Sequence, residues 1–291
     1  DIRLNALVDD DPNSPFSVDP FSRYVSGLIY EELGEWSDAL IAYRKAYQAY
    51  QAHGQRYPVA VPSFLKIDLL RLTEKLGLDD ELSNYRASFD IDHWPLLAAQ
   101  RDHGELIFIL HKGLAPIKRE KSVSSVDPSS GQLLRISLPR YEKRLTIGDR
   151  ARVIAGGKSV DTEVMEDINH IAIETLNAYL PAITARAIAR AALKHAISKK
   201  AREENKMAGL LTNVAGFLTE RADTRSWLTL PGEIQMARIA LPPGLHDVRI
   251  ELIGPTGQVI GLRDYLDMPI QRGKKTFHSY HWVPPLTLAR Q

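Results

Sequence analysis

The chain has 291 residues, of which 44% are hydrophobic and 25% are charged, a composition ordinary for a soluble globular protein and a length sufficient for two domains. Its 37 lysines and arginines nearly balance its 36 aspartates and glutamates, so no strong uniform field would attract nucleic acid, and we expect no nucleic-acid partner. The lack of cysteine excludes disulfides, thiolate nucleophiles and cysteine-ligated metals, and no apolar run approaches the ~18 residues of a membrane-spanning helix.

The first region, residues 1–94, is predicted to be helical. Between residues 20 and 50, small and aromatic residues recur at positions typical of a tetratricopeptide repeat, a hairpin of two antiparallel helices. Gly27 and Ala39 are small where the two helices would cross closely, and Tyr43 would fill the space beside them. These positions predict one well-formed helical hairpin.

A second, degenerate hairpin is predicted over residues 62–89, with Gly77 at its turn. Stacked hairpins of this kind present a concave groove that is lined by their first helices. We therefore predict that partner binding involves three side chains of the first helix, namely Arg23, Tyr24 and Tyr30. The alternative is that the hairpins only brace the sheet that follows.

Two short motifs in the helical region are rejected as sites. Asp90, Asp92 and His93 resemble a set of metal ligands, but acids after a helix are commonly caps and turn residues. Ser63 and Lys66 have the Ser-x-x-Lys spacing of serine acyl-enzymes, but the companion motifs of those enzymes are missing. A glycine-rich stretch further along also lacks the first glycine of a phosphate loop. We therefore expect no metal, no cofactor and no catalytic residue.

From Gly104 the periodicity changes to that of strands. Residues 105–111 are almost continuously apolar, which predicts a strand buried on both faces. A basic loop and then a serine-rich loop or long hairpin connection are predicted over residues 118–131. Further strands are predicted over residues 133–138, 151–155, 159–164, 234–241, 246–253 and 276–282. Together the strands predict an antiparallel sandwich or a small barrel.

A long helical segment interrupts the strands. Residues 161–204 are predicted to form one helix, or two helices broken at Pro181. Its second half carries Arg186, Arg190 and Lys194 at intervals of four, which places three cations on one side of the helix. These three residues are interpreted either as a docking surface for an acidic partner or as a solvated helix face.

A shorter helix is predicted over residues 207–219, so that the helical insertion covers about residues 161–220. After it, Asp223 and Arg225 are predicted to form a structural salt bridge that anchors the helix to the sheet. Trp227 is predicted to lie in the core.

The predicted fold class is therefore α+β. Tetratricopeptide-like helical hairpins are followed by a β-sandwich-like domain with a long helical insertion. The predicted domains are residues 1–94, which are helical, and residues 95–291, which are rich in strands.

Three parts of the chain carry a resemblance to a known family: the run from Ser14 to Gly34, the loop from Gly113 to Pro116, and residues 222–246. In these parts the chain resembles a family of bacterial cell-envelope lipoproteins with tetratricopeptide-like N-terminal repeats. The resemblance implies export and an outer-membrane lipid anchor on a cysteine upstream of Asp1. Membrane contact is therefore expected only through that anchor. The resemblance implies no catalytic residues.

The leading functional interpretation is a non-catalytic periplasmic scaffold or adaptor, anchored at the outer membrane, that binds another cell-envelope protein of cell-wall synthesis or of a surface assembly. The alternative is a hydrolase acting on peptidoglycan, with acids or histidines brought together only in three dimensions. Its histidines are scattered, and the closest pair, His278 and His281, would point to opposite faces of a strand. That spacing counts against the enzyme. The oligomeric state is left open.

Overall fold

The computed structural model describes residues 19–54, 59–95, 102–128, 131 and 133–284, and within them it is an α+β protein with six helices and ten strands. The chain divides into two compact units. Unit 1 comprises Asp1–Leu114, Leu145–Ile168 and Pro231–Gln291, and unit 2 comprises Ala115–Arg144 and Asn169–Leu230. The predicted domain boundary after residue 94 stays a prediction, because residues 96–101 lie outside the described part of the chain.

Four helices of unit 1 form two successive pairs: α1 (Pro20–Leu33) with α2 (Trp36–Gly54), and α3 (Ser63–Lys75) with α4 (Asp79–Phe89). α1 begins where Asp19 caps it, since this carboxylate accepts the backbone N–H groups of Phe21 at 2.8 Å and Ser22 at 3.1 Å. It ends at Gly34, which adopts the left-handed conformation that favours glycine at this position.

α1 and α2 cross closely at Gly27. A Cβ atom built on Gly27 would lie 2.3 Å from Cε1 of Tyr43, so a side chain here would displace that ring. Ala39 and Tyr43 are themselves fully buried. The absence of a side chain at Gly27 is therefore what lets the tyrosine ring lie between the two helices.

The strands, in chain order, are β1 (Gly104–Lys112), β2 (Ile117–Val126), β3 (Leu133–Glu142), β4 (Arg150–Ala155), β5 (Lys158–Asp161), β6 (Glu163–Glu166), β7 (Glu233–Leu241), β8 (Gly244–Ile253), β9 (Val259–Ile270) and β10 (Lys275–Trp282). In unit 1 they form two four-stranded sheets. The first sheet has the order β10-β1-β7-β6 and the second has the order β5-β4-β8-β9. β1 pairs antiparallel with β7 but parallel with β10.

Strand β1 is the centre of unit 1. Its Ile107 belongs to the core that the first sheet shares with the helices, whereas Leu106 and Phe108 belong to the core between the two sheets. Unit 1 therefore has three layers, namely helices, first sheet and second sheet. The prediction of a strand buried on both faces is confirmed, because β1 is covered on each side by a different apolar layer.

Unit 2 contains the β2–β3 hairpin and two helices, α5 (Ile168–Glu204, with Asn169 onward in this unit) and α6 (Lys206–Thr219). α5 continues through Pro181 as one helix. Its start differs from the prediction at residue 161, because residues 158–166 contain β5 and β6 and pair with other strands. None of the helices in the described part of the chain combines the length and the apolar character needed to span a bilayer.

Three other expectations are corrected by the strand pairing and by burial. The segment predicted as loops contains β2, which pairs with β3 along its whole length. β9 was not predicted, and β10 joins the first sheet in parallel rather than antiparallel. Trp227 lies outside the core, since 71% of its surface is exposed.

Candidate functional site

Six charged side chains meet between the helices and the first sheet of unit 1. We call them, together with the hydroxyl groups of two tyrosines, the buried charge network. Its members are Glu31 on α1, Asp68 and Arg71 on α3, Glu105 on β1, Arg238 on β7 and Lys275 on β10, with Tyr24 and Tyr43.

Arg238 joins the sheet to the helices. It binds Glu105 through two parallel hydrogen bonds, from Nε to Oε1 at 2.8 Å and from Nη2 to Oε2 at 2.9 Å. Its Nη1 donates to Oδ2 of Asp68 at 2.6 Å and to the hydroxyl of Tyr24 at 2.5 Å. Burial alone would lower the pKa of Arg238, but the carboxylates of Asp68 and Glu105 outweigh burial and hold that pKa well above its usual value.

Glu31 connects α1 to α2, α3 and β10. Its carboxylate accepts from the hydroxyl of Tyr43 at 2.8 Å, from Nζ of Lys275 at 2.9 Å and from Nη2 of Arg71. Arg71 also donates from Nε to Asp68 at 2.8 Å. Burial would raise the pKa of Glu31, but Arg71 and Lys275 overcome it and hold that pKa far below its usual value.

The secondary structure brings these residues together by simple spacing. Asp68 and Arg71 are three residues apart on α3 and so share one side of that helix. Glu105 is directly opposite Lys275 in the parallel β1–β10 pairing. It is also diagonal to Arg238, because it lies opposite Ala240 in the antiparallel β1–β7 pairing.

Two cavities flank Glu105. The first has a volume of about 130 Å³, and its charged lining includes Glu32, Lys75 and Lys274. The second has a volume of about 210 Å³ and is lined in part by Asp161. Both are smaller than the roughly 300–1,000 Å³ of ordinary small-molecule sites.

In the second cavity, Glu163 caps the start of α3. Its carboxylate accepts the backbone N–H of Ser63 at 2.7 Å and also the hydroxyl of that serine. A carboxylate at a helix N-terminus is stabilised by the free N–H groups there. Lys66 lies over the ring of Phe89, with Nζ 5.9 Å from the ring centroid. Ser63 therefore bonds to a capping carboxylate rather than to the lysine of the rejected motif.

The network is suited to holding helices against a sheet rather than to acid–base chemistry. Its three carboxylates balance its three cations, and each carboxylate is bound to at least one of them. A general base needs a carboxylate that is free to accept a proton from a substrate. The network offers none.

No protein-family model, no curated protein and no solved structure matches the chain.

The histidines do not assemble into a metal site, since the described residues contain no group of three or more potential His, Cys, Asp or Glu ligands. His111 and His281 lie opposite each other on β1 and β10, with ring centroids 6.0 Å apart. His278 instead contacts the ring of Tyr265. Burial lowers the pKa of His111 and of His278, so it favours their neutral forms.

The rejected metal-ligand set lies at the end of α4. Asp90 adopts the left-handed conformation that ends the helix, and Asp92 pairs with Arg86 at 3.3 Å. His93 is exposed. These residues therefore serve as turn and surface groups, as expected of acids after a helix.

The three predicted partner-binding side chains of α1 have different positions. Tyr24 is fully buried, and its hydroxyl donates to Asp68 at 2.7 Å, so it offers no surface to a partner. Arg23 is partly exposed and Tyr30 is exposed. Tyr24, which was predicted to line the groove, belongs instead to the buried charge network, because its side of α1 faces the first sheet.

The three predicted cations on α5 are not equivalent either. Arg190 and Lys194 contact Glu220 at 3.2 and 2.7 Å, and only 3% of the Glu220 side chain is exposed. Although burial acts to raise it, these two cations lower the pKa of Glu220. Arg186 is exposed. Two of the three cations therefore bind a carboxylate of their own unit.

Asp223 and Arg225 form a local ion pair. Nε and Nη2 of Arg225 donate to the two carboxylate oxygens at 2.9 and 2.8 Å, and both side chains are exposed. Hydrogen bonds from Arg225 lower the pKa of Asp223 well below its usual range. Trp227, in the same segment, donates from Nε1 to Thr229 at 2.8 Å.

The buried charge network was missed by sequence reasoning, because its members come from six elements spread over most of the chain. A signal was present in the sequence. Asp68 and Arg71 interrupt an apolar run on α3, and Arg238 interrupts another on β7. A charge within a buried run requires a partner of opposite charge. The pattern could therefore have indicated that partners exist, but not which residues they are.

Proposed function

We propose that the chain is a non-catalytic adaptor of the bacterial cell envelope, whose tetratricopeptide-like hairpins bind another envelope protein while a β-sandwich-like body with a helical insertion supports them. One observation carries the binding part of this proposal. Ile29, Tyr30 and Leu33 form an exposed group on α1, which we call the α1 patch, with 49%, 38% and 67% of their surfaces accessible. Neighbouring exposed apolar side chains on one helix are typical of a protein-binding surface.

The opposite face of α1 supports a preorganised patch. Glu31 bonds to residues of α2, α3 and β10, and Tyr24 bonds to residues of α3 and β7. A surface that is fixed before binding loses less conformational entropy when a partner arrives. The buried charge network therefore favours an adaptor that presents α1 in one position.

The paired carboxylates of the network and the size of the neighbouring cavities favour an adaptor over a hydrolase of peptidoglycan. The carboxylates of the network are paired, and the two cavities beside the network are small for a glycan or peptide substrate. The envelope location and the lipid anchor rest on the sequence resemblance.

Site-specific photo-crosslinking in cells tests the binding surface. A photoreactive residue is placed at Tyr30 or at Leu33, and at Leu266 on β9 as an equally exposed control that lies on another layer. We expect one defined protein adduct from both α1 positions and none from Leu266. We also expect Leu33→Asp to remove the Tyr30 adduct, because a charge would have to be desolvated in the interface. Adducts of equal yield at all three positions would contradict the proposal.

Fractionation of the full-length gene product tests the location separately. We expect it in the outer-membrane fraction. Recovery from the cytosol would overturn the envelope part of the proposal and leave the crosslinking result to decide the adaptor part.

A further inference from the structure

Unit 2 has a large net positive charge, whereas unit 1 has a net negative charge. Unit 2 contains 16 lysines and arginines but 8 aspartates and glutamates, which gives a formal charge of +8. Unit 1 contains 21 lysines and arginines but 28 aspartates and glutamates, which gives a formal charge of −7. The near-neutral total therefore conceals a strongly basic unit. A basic unit of this size attracts polyanions, and the strength of that attraction falls as salt rises.

Helix α6 exposes an apolar stripe within this basic unit. The stripe consists of five exposed side chains at spacings of three and four residues: Met207, Leu210, Leu211, Val214 and Leu218. Residues at these intervals lie on one side of an α-helix.

The other side of α6 is held by its own unit. The side chain of Asn213 is buried and exchanges two hydrogen bonds of 3.0 Å with the backbone of Leu133 on β3. Gly216 accepts a hydrogen bond of 3.1 Å from Nζ of Lys194 on α5. The apolar stripe therefore faces away from the contacts that fix α6.

Helix α5 adds apolar and cationic groups of the same kind. Leu193 and Ile197 are exposed and four residues apart, and Lys200, which is also exposed, follows three residues later on the same side of the helix. A lysine side chain can bury its apolar atoms while its charged end remains among polar groups.

We propose that unit 2 docks on the surface of an anionic phospholipid bilayer, with the apolar stripe of α6 in the headgroup–acyl boundary and the surrounding cations on lipid phosphates. α6 has 14 residues and is about 21 Å long at about 1.5 Å per residue. The hydrocarbon core is about 30 Å thick, so α6 lies in the interface rather than across it. This inference does not depend on the adaptor proposal.

Charge and apolar exposure together favour a bilayer over two other occupants. A nucleic acid would satisfy the charge but would leave the apolar stripe in water, because its phosphates offer no apolar surface. A second copy of the chain would cover the stripe but would bring two units of charge +8 together. An anionic bilayer offers negative charge at its surface and an apolar layer directly beneath.

Vesicle co-sedimentation tests the proposal. The whole chain is mixed with vesicles of phosphatidylcholine alone or with added phosphatidylglycerol, at about 0.1 M and about 1 M salt. We expect binding to the anionic vesicles that is at least about tenfold stronger than to the neutral ones and that weakens at high salt. Absence of binding to the anionic vesicles at the lower salt would overturn the proposal.

A variant of the apolar stripe and a matched control test whether the stripe contributes to vesicle binding. Combined Leu210→Gln and Leu211→Gln should reduce binding at least about tenfold, because the stripe loses two of its five exposed apolar side chains. The control, Leu262→Gln with Leu266→Gln on β9, changes two equally exposed leucines of unit 1 and should leave binding unchanged. Far-UV circular dichroism checks that each variant is folded.

Two results would refute docking by the apolar stripe. One is equal vesicle binding by the stripe variant and the wild type, which would mean that charge alone binds lipid. The other is a wild-type dimer in size-exclusion chromatography that the stripe variant converts to a monomer, since the stripe would then be covered by a second copy.

Discussion

Replacing Arg238 with methionine should destabilise unit 1 strongly. Arg238 has 8% of its side chain exposed, and it binds Glu105 and Asp68 as well as the hydroxyl of Tyr24. Methionine fills similar volume but removes the charge, so Glu105 loses both hydrogen bonds and Asp68 loses one of its two cations. Breaking a buried ion pair by removing one partner costs about 3–5 kcal/mol, because the remaining charge stays desolvated. We expect a loss of that size.

A matched control is available on the second sheet. Arg249 binds Asp264 through two hydrogen bonds of 2.8 and 3.3 Å, but about half of each side chain is exposed. An exposed pair contributes about 0–1 kcal/mol, so Arg249→Met should change stability by no more than that. Urea denaturation followed by far-UV circular dichroism gives both free energies. Equal losses for Arg238→Met and Arg249→Met would refute the conclusion that burial makes the network important for stability.

Three further changes test individual features. Gly27→Leu should cost about 1–3 kcal/mol in urea denaturation, because its side chain would meet the ring of Tyr43, whereas unchanged stability would show that α1 and α2 do not cross there. Burial, with a smaller effect of a nearby carboxylate, raises the pKa of Glu166 from 4.5 to about 8. Stability should therefore fall as pH rises between these values, and Glu166→Gln should remove up to about 5 kcal/mol of that loss. Denaturation curves at pH values below and above this window check the sign, and parallel curves for wild type and variant would contradict it. Lys194→Glu should lower the thermal stability of unit 2 by about 1–3 kcal/mol, since it places a like charge beside Glu220, and an unchanged melting temperature would argue against that contact.

Local patterns predicted the parts of the fold that depend on local physics. The apolar run of β1 indicates a strand covered on both sides, because both faces of such a strand are too apolar to be exposed to water. The long α5 follows from its helix-forming residues even though Pro181 lies inside it. Gly27 stood out because a residue without a side chain is needed where helices approach closely.

Features that depend on distant partners were not predictable in the same way. Serine-rich β2 has weak strand character of its own, and it forms a strand because β3 supplies ten paired positions. Arg238 meets Tyr24 across 214 residues of sequence. The exposure of Trp227 has the same origin, since whether an aromatic residue is covered depends on what the rest of the unit places over it.

These observations indicate what the buried charge network contributes to the molecule. Buried ion pairs add little net stability relative to apolar side chains of the same volume, because the loss of hydration offsets their attraction. Apolar burial, in contrast, has no direction, so the core shared by the helices and the first sheet would tolerate small shifts of α1 along the sheet. The network restricts such shifts, because its cations lie on α3, β7 and β10. Its carboxylates can pair with the cations of all three elements only when the helices and the sheet are in one relative position. We therefore infer that the network fixes the position of α1, and with it the exposed α1 patch at which we propose that a partner binds.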